Sequence, residues 1–215
     1  MTEAQAAVTT ESAHAADHAE HYDPLGAKVG MWLFLFTEVL LFGALFIAFA
    51  VYLRQYRIPF MQASRELDRY LGLLNTTVLL TSSLSMAFSV AAMTRGQTRR
   101  ALGALAVTLL LGAVFLLVKA REWGFKFSHE IYPQSEAMLE RPVGEQVFYG
   151  LYFAMTGLHA LHVIIGMAII VSAAVLILLG RIRPDRHIYL ENTGLYWHLV
   201  DIIWIFLFPL FYLIG

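Results

Sequence analysis

Residues 147–180 read VFYGLYFAMTGLHALHVIIGMAIIVSAAVLILLG, an apolar run without one Asp, Glu, Lys or Arg. A helix that crosses a bilayer needs about 20 mostly apolar residues, because each adds ~1.5 Å against a hydrocarbon core ~30 Å thick. This run exceeds that length, so as a single helix it tilts or extends beyond the hydrocarbon. It does not divide into two spans, since Gly157 and Gly166 have no proline or charged neighbour with which to build a turn. Nor does it alternate polar with apolar residues as a strand of a membrane barrel would. One membrane-spanning helix is the reading, and it sets the class of the whole chain.

Four further stretches read the same way: 29–53, 71–93, 101–120 and 194–214. The expectation is an all-α membrane protein, a bundle of five transmembrane helices over residues 28–215. The chain has 215 residues, 59% of them hydrophobic and 14% charged. Soluble domains carry about 25% charged residues, so the deficit fits a lipid surround. A net charge of -1 gives no electrostatic footprint for nucleic acid. With no cysteine, the chain cannot form disulfides, iron–sulfur ligation or thiolate zinc sites. Residues 1–27 are polar and Ala-rich, with His14, His18 and His21 among acids, and lack the basic start and apolar core of a signal peptide. They are expected to be a disordered tail. Residues 121–146 read as an acidic loop made irregular by Pro133 and Pro142. No inverted repeat of the transporter kind is visible. Trp32, Trp123 and Trp197 lie near span ends, where an indole suits the lipid–water boundary. Lys and Arg divide almost evenly between the two sides, but the two short loops on the N-terminal side are the more densely basic, which places the N-terminus inside.

The informative residues are the polar ones within the spans, because an ionisable group there costs about 2.5–3.5 kcal/mol on insertion scales and needs a partner or a role. Glu38 lies in the middle of the first span with no basic residue near it in sequence. It is either a proton- or lipid-related carboxyl or a structural acid bonded between helices. Lys119 and Glu122 are three apart on one helix face and read as an interfacial ion pair. Thr156, His159 and His162 fall along one side of the fourth helix, and Glu191, His198 and Asp201 along one side of the fifth. These groups could hold a metal, but an interhelical polar network uses the same side chains and leaves no coordination to explain. The network is the reading adopted, with no metal and no catalytic residue. Asn75, Ser82, Ser85 and Ser89 line one side of the second helix as polar glue between helices.

Two long motifs then carry a resemblance. The segment Tyr149–Gly166 and the segment Glu191–Phe208, the latter containing Tyr196-Trp197-His198-Leu199-Val200-Asp201, resemble in order and content the signatures of the haem–copper oxidase subunit III family. Leu74-Asn75-Thr76 and Ala120-Arg121-Glu122-Trp123 sit where that family has related short motifs, and Glu38 sits where it has a buried acid. The resemblance runs from about Val29 to the C-terminus. It matches the five-helix bacterial form, without the two extra N-terminal helices of the seven-helix form.

The resemblance implies an accessory subunit with no redox centre and no cofactor of its own. Haem and copper would reside in partner subunits. The chain would pack directly on oxidase subunit I, share a complex with subunit II, bind phospholipid, and support proton uptake during oxygen reduction and proton translocation in a bacterial cytoplasmic membrane. The family places the N-terminus in the cytoplasm, in agreement with the charge count. Arg181 and Arg183, just past the fourth span, are expected to meet lipid phosphate, which Arg binds well. Other readings stay open at this point. They are a subunit III of a quinol oxidase or nitric oxide reductase, a stand-alone five-helix transporter, or an assembly factor.

Overall fold

A computed structural model of the chain describes residues 24–215. The expectations for the tail, including His14, His18 and His21, fall outside those residues up to 23. From residue 24 the chain is already helical, so the tail's last four expected residues belong to the first span instead.

Among the described residues seven helices follow in order: α1 Pro24–Gln55, α2 Arg57–Arg65, α3 Arg69–Thr94, α4 Thr98–Ser128, α5 Glu136–Leu139, α6 Val143–Leu178 and α7 Ile188–Tyr212. No strand occurs among the described residues. Five of the helices, α1, α3, α4, α6 and α7, are long and apolar enough to cross a membrane. The protein is therefore an all-α membrane protein with the five spans expected, although every span outruns its apolar run at one end or both. The largest difference is α4, which continues eight residues beyond Ala120 to Ser128. Its charged side chains Glu122 and Lys126 turn inward and are buried, so the hydrophobic count ends before the helix does.

The ends of the helices have local causes. The Asp68 carboxylate accepts from the backbone N–H groups of Tyr70 and Leu71 and caps α3. Gly96 and Gly180 follow α3 and α6 with φ of 72° and 68°, a left-handed conformation that a side chain disfavours. In both cases the next N–H reaches back to close the last turn, Gln97 to Ala92 and Arg181 to Leu176.

Packing centres on α7. Half of its most apolar window is buried, against 17% for α1, which lies at the margin of the bundle. Trp197 and Trp204 of α7 are fully buried. Trp197 fits because Gly166 and Gly112 face it; a Cβ on Gly166 would stand 2.9 Å from the indole ring. Trp197 is thus an interior residue donating from its indole N–H to Ser82, not the boundary residue its sequence position suggested. Serines of α3 bind the backbone of α4, Ser85 to the Ala104 carbonyl and Ser89 to that of Ala101. At one end, Phe49, Phe60, Phe148 and Phe211 close edge-to-face around α1, α2, α6 and α7.

Candidate functional site

The polar residues within the spans gather into separate groups. On the margin, Glu38 of α1 meets His162 of α6, with Oε2 2.9 Å from Nε2 and the two side chains 13% and 10% exposed. His162 Nδ1 lies 2.7 Å from the Leu158 carbonyl. A carbonyl only accepts, so Nδ1 carries a proton. Nε2 then either accepts from a protonated Glu38 or donates to its carboxylate as imidazolium. In both arrangements the pair shares one proton and is neutral overall, which suits a site at the edge of a membrane bundle. Phe42 packs on the ring of His162, and Tyr196 donates to its backbone carbonyl at 3.2 Å.

A second group is buried between α4, α6 and α7. The Lys119 ammonium donates to Glu122 at 3.0 Å, to the Tyr152 hydroxyl at 3.0 Å and to the Tyr212 hydroxyl at 2.7 Å. Both hydroxyls donate in turn to the Glu122 carboxylate, each at 2.7 Å. Every proton of the ammonium and of the two phenols is used, so the cluster is closed upon itself. The rings of Tyr152 and Trp204 also face the ammonium, at 4.8 and 5.2 Å. The ion pair expected from the spacing is formed, and it lies inside the bundle.

From this cluster a charged rim leads outward. Lys126 lies over the rings of Tyr149 and Tyr152. The Tyr149 hydroxyl donates to Glu66, which also binds Arg141, and Arg141 reaches Glu145 as well. In the loop between α5 and α6, partial burial pulls the Arg141 guanidinium down, but the bond to Glu66 together with the negative charges of Glu66 and Glu145 holds the group above its ordinary range.

The six residues expected as one interhelical network are divided among these and other surroundings. Thr156 donates to the Tyr152 carbonyl of its own helix. His159, buried, stands between Phe115 and Trp204 with neither ring nitrogen bonded within the described residues. Glu191 pairs with Lys28 and His187 at the start of α7. His198 Nδ1 meets the Ser83 hydroxyl at 2.6 Å, and Asp201 is buried with the same Ser83 hydroxyl as the polar group beside its carboxylate. Of the ionisable residues singled out, Glu38 and His162 are the one pair, among the described residues, bonded to each other across two different helices. Arg181 and Arg183 line a cavity in the α6–α7 connection with Asp185 and Arg186. Among the described residues no three His, Asp or Glu side chains meet as a metal would require. The residues that sequence reasoning missed are Tyr152, Tyr212 and Ser83. Tyr152 lies four residues before Thr156, and four is a helical contact spacing, but nothing in the sequence ties it to Lys119, 33 positions earlier.

Comparison with known proteins bears on the whole chain. The family model described as "Cytochrome c oxidase subunit III" matches residues 1–215. A cytochrome c oxidase subunit 3 from Thermostichus vulcanus is 30% identical over 208 residues, covering 94% of each chain. One from Prototheca wickerhamii is 29% identical over 218 residues, 91% of this chain and 72% of the other. A probable cytochrome c oxidase subunit 3 from Rickettsia bellii is 28% identical over 221 residues, 93% of this chain and 73% of the other.

Proposed function

The chain belongs to the cytochrome c oxidase subunit III family, and from that premise we propose that it is the accessory, non-redox subunit of a respiratory terminal oxidase in a bacterial cytoplasmic membrane. In this reading it packs on subunit I beside subunit II, stabilises subunit I, holds phospholipid and supports proton uptake during oxygen reduction. Haem and copper belong to the partner subunits. The N-terminal end of α1 faces the cytoplasm, and Arg181 and Arg183 at that same end of the bundle meet lipid phosphate.

The observation that carries the proposal is the Glu38–His162 pair. It sits at the border between α1 and α6, next to the broad apolar face that α1 presents through Leu33, Phe36, Leu40 and Ile47. Another subunit's helices or ordered lipid against that face would enclose the pair, and its one shared proton would then lie at the junction of the chain with its surroundings. The Lys119 and Glu122 charges of the interior are matched to each other within the chain, which supports a scaffold in preference to a charged transport path.

The test is Glu38→Gln in the assembled oxidase. Haem content should equal wild type, while the enzyme inactivates after fewer turnovers or moves fewer protons per electron. Wild-type behaviour in both assays over many turnovers would reduce Glu38 to a structural residue. If the chain migrates without haem-bearing subunits after gentle solubilisation and moves solute in vesicles, the oxidase reading itself fails.

A further inference from the structure

The end of the bundle opposite Arg181 holds a different cavity. It has a volume of about 250 Å³ and is lined by Glu66, Asp68, Leu71, Arg121, Glu122, Phe125 and Lys126. These come from the α2–α3 corner and the last two turns of α4, at the level where α4 leaves its apolar run.

Its charges are of both signs, and most are already committed. Glu122 is filled by Lys119 and two tyrosines. Glu66 is engaged by Arg141 and Tyr149. One oxygen of Asp68 caps α3. Lys126 is the exception. Only 4% of it is exposed and it lines the cavity; among the described residues its ammonium has ring faces beside it and the Glu122 and Glu66 charges in its neighbourhood, but no ion pair or hydrogen bond of its own. The ammonium of this buried side chain opens to the cavity, and its donors, filled by no group of the chain, favour an acceptor there. Arg121 and Asp68, both exposed, line the same cavity and add a second cation and an anion, one oxygen of Asp68 being free of the α3 cap.

We propose that this cavity binds the headgroup of a zwitterionic aminophospholipid, with the phosphate on Lys126 and Arg121 and the ammonium on Asp68. A phosphoethanolamine group has roughly eight non-hydrogen atoms, comparable to the room for about eight waters that the cavity provides at ~30 Å³ each. The occupant is a lipid because Leu71 and Phe125 carry the cavity wall onto the exposed apolar faces of α3 and α4, where Leu74 and Leu117 would lie along acyl chains. An anionic lipid would satisfy Lys126 but set its charge against Asp68 and Glu66 without an ammonium to offset them. This site is separate from the arginines of the α6–α7 connection, and it does not need Glu38.

The experiment uses the purified oxidase complex, stripped of lipid in detergent and exposed to vesicles of either phosphatidylethanolamine or phosphatidylglycerol, with bound lipid counted by native mass spectrometry. Wild type should retain one more phosphatidylethanolamine than Lys126→Gln, and phosphatidylglycerol should not replace it. Asp68→Asn keeps the helix cap, since Asn caps as well as Asp, so it tests the ammonium contact in a folded chain. It should weaken retention about tenfold, as should Arg121→Gln, each being the loss of one charge-assisted contact. Equal retention in wild type and all three variants overturns the proposal. So does equal binding of phosphatidylglycerol, or displacement by soluble phosphoethanolamine as effective as by the lipid, which would mark a site for free anions. If Lys126→Gln does not assemble, the other two variants decide. Failure of the chain to co-purify with haem-bearing subunits bears on the oxidase reading alone, and the lipid count is then made on the isolated chain.

Discussion

At the scale of single residues, the same ionisable type has different consequences according to what surrounds it. Glu122 and Glu38 are both acids inside membrane helices. Glu122 is answered by an ammonium and two phenols and is buried in the bundle. Glu38 has a single histidine partner and lies at the margin. Removing one member of a buried pair leaves an uncompensated charge, which costs about 3–5 kcal/mol, whereas removing both charges together often costs little. Lys119→Met should therefore destabilise the detergent-solubilised chain by about that amount, read as a lowered midpoint in thermal or denaturant unfolding. Adding Glu122→Gln should recover most of the loss, because Gln still accepts from Tyr152 and Tyr212. Equal midpoints for the single and double variants would show that the cluster's charges do not hold the fold. The presence of a partner for Lys119 was readable from the i, i+3 spacing. The two tyrosines were not, because they lie 33 and 93 residues away and only the packing of α6 and α7 brings them to it.

At the scale of helices, the length of the apolar runs located the five spans, but residue spacing misjudged how one face is shared. Steps of three residues rotate about 60° short of a full turn. From Thr156 through His159 to His162 the side chains therefore sweep about 120° around α6. In a bundle that arc spans more than one neighbour, so His162 reaches α1 while His159 faces Phe115 of α4 and Trp204 of α7. What reads as one stripe is divided between two interfaces. The apolar count also stopped α4 at Ala120, since Glu122 and Lys126 resemble the start of a loop until their partners are known. Glycines of α6 give a prediction at this scale. Gly150 has open space where a Cβ would go, whereas Gly166 abuts Trp197. Gly150→Ala should be neutral or raise stability by up to ~1 kcal/mol, and Gly166→Ala should lower it by about 1–3 kcal/mol by forcing the indole or α7 to move. Both are checked by thermal unfolding, and similar effects for the two would refute the close packing of α6 on α7.

At the scale of the whole molecule, the helices are held with very different security. Helices α3 and α4 are tied by serine-to-backbone bonds, α4, α6 and α7 by the Lys119 cluster, and α7 is enclosed on most sides. Helix α1 has little of this. Besides aromatic contacts, its polar ties to other described residues include Glu38 to His162 in the middle and, at its start, Lys28 to Glu191 and the Ala27 carbonyl to Asn192. Since the membrane supplies no hydrophobic drive to press one apolar helix on another, packing and polar bonds must do so. The central pair is then the latch of α1. Its chemistry separates latching from proton handling: because His162 keeps its Nδ1 proton on Leu158, a Gln at position 38 can donate to Nε2 and preserve the bond, whereas an Ala cannot. The absence of native cysteine allows the consequence to be measured cleanly. Spin labels placed through Val51→Cys on α1 and Leu117→Cys on α4, both exposed positions, should report one narrow distance in the wild-type background and with Glu38→Gln. With Glu38→Ala the distribution should broaden as α1 loosens from α6 and α7. A distribution unchanged by Glu38→Ala would mean that side-chain packing alone retains α1, and that the Glu38–His162 pair serves only the proton-related role.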